Sequence, residues 1–264
     1  MTKQVYVTVL STDDYLPGVL ALNKSINELC SFPLLVLTSG TLGNETYEHL
    51  ERRKIRFVRV DDVEVPDDLV QATKDHAWYS HWVKSFLKLR VFDLPGYDKI
   101  VAIDCDMMLM ESIDEVFALP DMSAVIAGRS YPGNERWVDL NSGLMVIVPR
   151  EGLSEQIAGV IPEVNATKSV FGDQDLIQAF FSGWRDNAEL HMPEGYNVHF
   201  SHYGHYHGAE TVKVVHFVGR DKPWMMSITD ICRQYVKCFA KGNIAGIPVL
   251  RKYLKLLRAA AADE

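Results

Sequence analysis

Short apolar, β-branched runs recur along the chain and alternate with segments whose apolar residues fall three or four apart. The runs at Val5–Ser11, Pro33–Thr38, Ile55–Val60, Lys99–Asp104, Ser123–Gly128, Gly143–Val148 and Val212–Gly219 predict strands. Helices are predicted at Pro17–Leu29, Thr46–Arg53, Trp78–Asp93, Leu153–Val164, Gln174–Ser182 and Ile228–Ala240. Pro248–Arg258 separates leucines from basic residues at helical spacing, which predicts a terminal helix packed on the domain or a surface that touches a membrane or partner. Strands alternating with helices predict an α/β fold with a mixed, mostly parallel central sheet covered on both faces. The sequence has no internal repeat, low-complexity tract or linker.

Composition narrows the classes. A chain of 264 residues, 47% apolar and 23% charged, is long enough for one large domain with a sizeable core. The formal net charge of -8 argues against binding a nucleic-acid backbone, which needs a basic stripe. An acidic protein holds an anion through local devices: a metal ion, a few lysines or a helix N-terminus. Cys30, Cys105, Cys232 and Cys238 show no CxxC pair and read as small hydrophobes in a reducing compartment. The start of the chain lacks the basic and apolar pattern of a signal peptide, and no run is long enough to span a bilayer. A cytoplasmic protein is expected.

Chemistry concentrates at strand ends. After the first strand, Ser11-Thr12-Asp13-Asp14 offers helix-capping side chains and Pro17 suits a first helical turn. Ligands of open α/β sheets bind beyond the strand carboxyl ends, so a nucleotide is plausible around Ser11 to Tyr15. The strand Lys99–Asp104 delivers Asp104 and Asp106 with Cys105 between them. In an extended chain residues i and i+2 point the same way, so both carboxylates would face one point, a geometry suited to Mg²⁺ or Mn²⁺. The bland alternative is a solvated acidic loop. A second apolar strand ends in His216, a further ligand type, followed by Gly219 and Lys222, which suit a phosphate.

With these residues in hand, the chain resembles glycosyltransferase family 8, glycogenin-like domains being nearest in pattern, over about residues 5 to 225. Five phrases agree in order: Tyr6-Val7-Thr8; the acidic pair followed by Met107 to Leu109 and Ile113 to Phe117; Asn141-Ser142-Gly143; Gly172-Asp173-Gln174; and His216 to Trp224. The resemblance implies a GT-A fold and a UDP-sugar donor held through Mn²⁺, with Asp104, Asp106 and His216 as metal ligands. It places Val9, Ser11, Thr12 and Tyr15 at the uridine, although Ser11 and Thr12 differ in type from glycogenin's usual pair. It places Lys88, Cys105, Gly219 and Lys222 at the donor, and Asn141, Ser142 and Gly143 along the sugar. Asp173 and Gln174 fall nearest the reacting carbon. Residues 1–225 would then be the catalytic domain and 226–264 a helical extension packed on it.

The implied reaction is retaining hexosyl transfer from a UDP-sugar, UDP-glucose or UDP-galactose, to a glycan, lipid-linked or protein acceptor. Asp173 is the nucleophile if one exists; the Gln174 carbonyl would instead support an oxocarbenium-like centre, and an N-terminal cap is the bland reading of Asp173-Gln174-Asp175. Four histidines and two tyrosines crowd His199 to His207, which reads as an acceptor-side loop, a metal cluster or a solvated loop. Tyr203 and Tyr206 are self-acceptor candidates by the resemblance, which also implies a homodimer. Trp78, Trp82 and Trp224 could stack on sugars, yet Trp78 and Trp82 at i, i+4 fit core packing better. Two other classes stand beside this one. An Asp-x-Asp after a buried strand also marks haloacid-dehalogenase-type phosphatases, but there a Thr usually follows, where this chain has Met107-Met108. A silent UDP-sugar-binding module is the other.

Overall fold

Most of the apolar runs are strands buried from both sides; the run at Ile55–Val60 forms an exposed edge. The computed structural model describes residues 3–75, 82–209, 211–219 and 221–262. The chain runs through β1 (Gln4–Leu10), α1 (Leu16–Leu29), β2 (Leu34–Ser39), α2 (Asn44–Arg52), β3 (Arg56–Val60) and α3 (Asp67–Asp75). It continues through α4 (Trp82–Ser85), a 3-10 segment at Phe86–Asp93, β4 (Lys99–Ile103), β5 (Met107–Leu109), β6 (Ala124–Val125) and β7 (Asn141–Ile147). Then come α5 (Leu153–Ala158), α6 (Ile161–Asn165), α7 (Asp173–Phe180), β8 (His191–Met192), β9 (Val198–His199) and α8 (Tyr203–Tyr206). β10 (Val214–His216), α9 (Ile228–Ala240) and α10 (Gly246–Ala262) follow.

Seven strands form the main sheet in the order β3-β2-β1-β4-β7-β6-β8. β3, β2, β1 and β4 are mutually parallel; β7 is antiparallel to β4 and to β6, and β8 is parallel to β6. A small sheet, β5-β10-β9, stands beside it. Alternation along the strands divides the core. Val5 and Val7 point into one apolar layer, with the 86–92 segment, α5 and α7, while Tyr6 and Leu10 point into the other, with α1, β5 and α10. From β1 the chain winds outward to β2 and β3, then returns to β4 on the far side of β1. Winding therefore reverses between β1 and β4, and such a reversal opens a crevice at the carboxyl ends of the two strands.

Several elements differ from expectation. The helix predicted over Leu153–Val164 is two helices, α5 and α6, with Gly159 and Pro162 at the break. Phe86–Asp93 is 3-10 rather than α, and residues 76–81, with Trp78, lie outside the described residues, as does the Trp82 side chain. The predicted strands at Ser123–Gly128 and Val212–Gly219 shrink to β6 and β10. The capping expectation at Ser11 to Asp14 is corrected. Neither Thr12 nor Tyr15 caps with a side chain. The Asp13 carboxylate instead accepts from Gly43 N at 3.0 Å and Thr46 Oγ1 at 2.6 Å, holding the N-terminus of α2. All four cysteines are free, but Cys232 is exposed rather than buried. α10 lays Val249, Leu250 and Tyr253 into the core against α1, so its apolar side is spent on the domain.

Candidate active site

The crevice between β1 and β4 is where the polar residues gather. β4 ends at Ile103, and Asp104, Cys105 and Asp106 turn the chain into β5, with Met107 N donating to Asp104 O at 3.2 Å. The extended i, i+2 geometry is therefore not what unites the two carboxylates; a tight turn is. Backbone bonds pin that turn on both sides: Asp104 N donates to Gly143 O and Phe217 N to Asp106 O, each at 2.9 Å. Because β10 pairs antiparallel with β5, His216 lands opposite Met107, beside the turn.

Asp104, Asp106 and His216 each offer a ligand atom within 4.8 Å of the others. A chain of amides then fixes which nitrogen of His216 is available. Gly143 N donates to Asn141 Oδ1 at 3.0 Å, and Asn197 Nδ2 donates to the same oxygen at 2.7 Å. Asn197 Oδ1 consequently faces His216 Nδ1 at 3.0 Å, a contact that requires N–H on Nδ1. That tautomer turns the Nε2 lone pair toward the carboxylates, 3.1 Å from Asp106 Oδ1 and 3.9 Å from Asp104 Oδ2. A lone pair facing carboxylate oxygens calls for a cation between them, and two hard oxygens with one imidazole nitrogen suit a divalent ion. Asn197 is fully buried. Nothing in its spacing singled it out in the sequence, since its role exists only once β9 lies parallel to β10.

Two buried lysines answer the acidic charge. Lys88 Nζ lies 2.6 Å from Asp104 Oδ1 and 3.2 Å from Asp173 Oδ2, and Lys222 pairs with Asp106. Burial alone would lower the Lys88 ammonium; the Asp104 and Asp173 carboxylates outweigh it and raise its pKa. Burial likewise opposes ionisation of Asp106, yet His216, when it is protonated in the absence of a bound cation, and the Lys222 ammonium hold its pKa well below the ordinary range. Asp104 goes the other way, raised by burial and by Asp106 and Asp173 despite Lys88. Asp173 is depressed against its burial by Lys88 and by hydrogen bonds from Ser142 and Ser85. Ser142 Oγ donates to Asp173 Oδ2 at 2.7 Å, and the Gln174 side-chain oxygen accepts from Ser142 N at 3.2 Å. Asp173 is thus not a cap. Asp175 fills that role, its Oδ2 accepting from Gly172 N at 3.0 Å.

One cleft of about 420 Å³ is lined by Val9, Ser11, Thr12, Tyr15, Lys88, Asp104, Cys105, Asp106, Asn141, Ser142, Asp173, Gln174, His216, Gly219 and Lys222. Of the residues singled out in the sequence, Gly143 does not line it. Its place is tighter: a Cβ there would stand 2.8 Å from His216 Cε1 and 2.6 Å from Met107 Cε. Gly219 sits at φ +104, a conformation that glycine adopts without strain. Cys105 is no nucleophile, because burial, with Asp106 and Asp104, pushes its thiol well above the ordinary value. The sequence reading missed Lys84, Ser85 and Trp137, which also line the cleft, Trp137 being 46% exposed. No sequence signal marked them, because which side chains face the cleft is decided by the fold.

The remaining aromatics separate. Trp224 donates its indole N–H to Asp14 O at 2.8 Å and meets Tyr15 edge-on, so it braces the start of α1 rather than lining the cleft. Tyr203 and Tyr206 are buried in the core, and the Tyr206 hydroxyl donates to Glu194. Neither lines the cleft. Among the described residues the clustered histidines form no metal-binding group of their own. Tyr131 stacks on His202 at 3.7 Å between centroids, and burial lowers His199 to a pKa of about 3, with His216 and His202 adding to the effect.

Residues 6–227 match glycosyl transferase family 8. The chain belongs to that family. Family 8 relatives include glycogenin-1 of Mus musculus, 30% identical over 235 residues, which span 85% of this chain and 66% of that protein. Glycogenin-1 of Caenorhabditis elegans is 29% identical over 234 residues, 84% of this chain and 51% of its own length. The chain therefore spans between half and two thirds of these relatives. The galactosyltransferase LgtC, solved in complex with donor and acceptor sugar analogs, superposes with a TM-score of 0.65 at 14% identity, over 96% of this chain and 95% of that one. That likeness establishes the GT-A fold. No helix among the described residues is long and apolar enough to cross a membrane.

Proposed function

We propose that the protein is a retaining hexosyltransferase that takes glucose or galactose from a UDP-sugar, with Mn²⁺ (or Mg²⁺) as cofactor, and passes it to an external glycan or lipid-linked acceptor. The observation that carries this reading is the convergence of Asp104, Asp106 and a tautomer-fixed His216 with Lys222 at the switch point of the sheet. Those three residues would hold the metal, which when bound neutralises charge on the diphosphate. Lys222 adds a point charge on the same side, and Gly219 leaves the backbone open for close approach of a phosphate. Val9, Ser11, Thr12 and Tyr15 line the β1 end of the cleft, where a uridine would lie; Lys88 and Asn141 would face the donor farther in.

Asp173 stays ionised and is oriented by Lys88 and Ser142, which suits it to stabilise positive charge on the reacting carbon or to attack it. The Gln174 carbonyl is tied to Ser142 N and supports the same region. The buried phenols of Tyr203 and Tyr206 favour an external acceptor over self-glycosylation. The test is UDP release from a panel of UDP-sugars with Mn²⁺ and with EDTA. Release from one sugar, abolished by EDTA and by Asp106→Asn, is the expected result. Metal-independent release, or thermal stabilisation by no donor, would remove the proposal.

A further inference from the structure

Beside the cleft lies a second cavity whose charge the fold leaves unanswered. It holds about 380 Å³, within the range of about 300–1,000 Å³ for small-molecule sites, and runs between α9 and the chain from Phe217 to Met226. Its floor is fixed. Phe200 and Phe217 are buried and stacked at 5.1 Å between centroids, and Cys238 and Leu250 complete it, also buried. Val218 and Gly219 line this groove and the cleft alike, so the two cavities meet there. Among the described residues nothing lies within 4 Å of the place a Gly219 Cβ would take, so no side chain closes the junction.

The rim is basic. Lys237 and Lys241 stand one helical turn apart on the side of α9 that faces the groove, away from its exposed Ile228, Val236 and Phe239. Both lysines are exposed, and neither ammonium joins an ion pair or a hydrogen bond among the described residues. The other cations nearby are committed, Lys222 to Asp106 and Arg233 to Asp230. Among the described residues Asp221 is the only carboxylate on the lining, and it pairs with neither lysine. Like charges at this spacing disfavour a helix, and an anion held between them removes the repulsion. Ser201 and Gln234 add neutral hydrogen-bonding groups to the same wall.

We propose that this groove holds the phosphate of a phosphorylated sugar acceptor, whose reacting hydroxyl lies in the cleft while its phosphate sits between Lys237 and Lys241. The inference rests on the reading that the cleft takes a UDP-sugar. Under that reading the donor diphosphate has its own cations inside the cleft, the metal and Lys222, and the groove's lysines are left for the second substrate. Lysines meet a phosphate as point charges, whereas a carboxylate is matched best by the fork of an arginine. A lipid chain fits less well, because the floor side chains are nearly fully buried and leave little apolar surface to cover it.

The experiment is calorimetric titration of the full chain, loaded with Mn²⁺ and UDP to fill the donor side, with methyl glucoside 6-phosphate, methyl glucoside and geranyl phosphate. The phosphorylated glucoside is expected to bind about tenfold more tightly than the plain one, the scale of one or two charge-assisted contacts, and to weaken with salt. The Lys237→Gln, Lys241→Gln double variant is expected to lose that preference while keeping the melting temperature and the affinity for UDP. The UDP titration comes first and tests the donor reading by itself. If UDP does not bind, that reading fails, and the same glucoside titrations on the protein alone still decide the groove. Equal binding of the two glucosides by the wild type, or a phosphate preference that survives in the double variant, overturns the proposal. Geranyl phosphate bound as tightly as the phosphorylated glucoside overturns the assignment to a sugar.

Discussion

Asn197 offers the sharpest test of how the site is built. It is fully buried, and its two hydrogen bonds relay the backbone of Gly143 through Asn141 to Nδ1 of His216. Asn197→Leu keeps the branched shape, at a larger volume, and removes both bonds. The His216 N–H is then left without its acceptor in a buried site, a loss of about 1–3 kcal/mol. Removing an orienting partner of a metal-bound histidine weakens metal affinity by about tenfold to a hundredfold, or roughly 1.4–2.7 kcal/mol. Asn197→Asp separates orientation from stability. A carboxylate still accepts from Nδ1 but meets Asn141 Oδ1 without a donor, so this variant should bind metal nearly as the wild type does while melting lower. The assay is Mn²⁺ titration of chelator-stripped protein, without donor, followed by electron paramagnetic resonance of the free ion. A folded Asn197→Leu protein that binds Mn²⁺ as tightly as the wild type refutes the reasoning.

Lys222→Ala should lower UDP release at saturating donor by about a hundredfold, the scale of losing one charge-stabilising donor; equal rates at saturating and at limiting donor would exclude a diphosphate role. Gly143→Ala places a Cβ 2.8 Å from His216 Cε1 and 2.6 Å from Met107 Cε, and should weaken Mn²⁺ binding while costing about 1–3 kcal/mol of stability, read by denaturant titration. Tyr253→Phe removes a buried hydroxyl that has no hydrogen-bond partner among the described residues, and should raise stability by about 1 kcal/mol; a lower denaturation midpoint would contradict this. His199 has a folded pKa of about 3 against 6.5 ordinarily, so the unfolded chain takes up a proton first as the pH falls. Stability should therefore drop between pH 6.5 and 3, by at most about 1.4 kcal/mol per unit. His199→Gln should flatten that part of the profile, measured on metal-free protein.

The alternation of apolar runs and helical spacing was enough to place β1, β2, β4 and β7 within a few residues, because strands buried on both faces need unbroken apolar sequence, and it also placed β3, a largely exposed edge strand. β5, β8 and β9 escaped notice, being two or three residues long with too little sequence for any period to show. α3 was missed, and the break between α5 and α6 was decided by Gly159 and Pro162 against a continuous apolar pattern. The exposed stripe of α9 has the same periodicity as a buried one, and only the packing tells them apart.

The identities of the site residues were in the sequence: two aspartates after an apolar strand, a histidine ending another, and lysines and glycines at family spacing. What brings them together was not. Asp104 and Asp106 converge through a turn whose bonds come from Gly143 and Phe217, 39 and 111 residues away in sequence from the aspartates they pin. Lys88 reaches Asp104 and Asp173 because β4, β7 and α7 pack side by side, and Asn197 orients His216 because β9 pairs with β10. Local sequence sets which chemistry a segment carries and its preferred backbone. Which side chains share one buried site, and so which stay charged and which tautomer a histidine holds, is set by contacts between segments far apart in the chain.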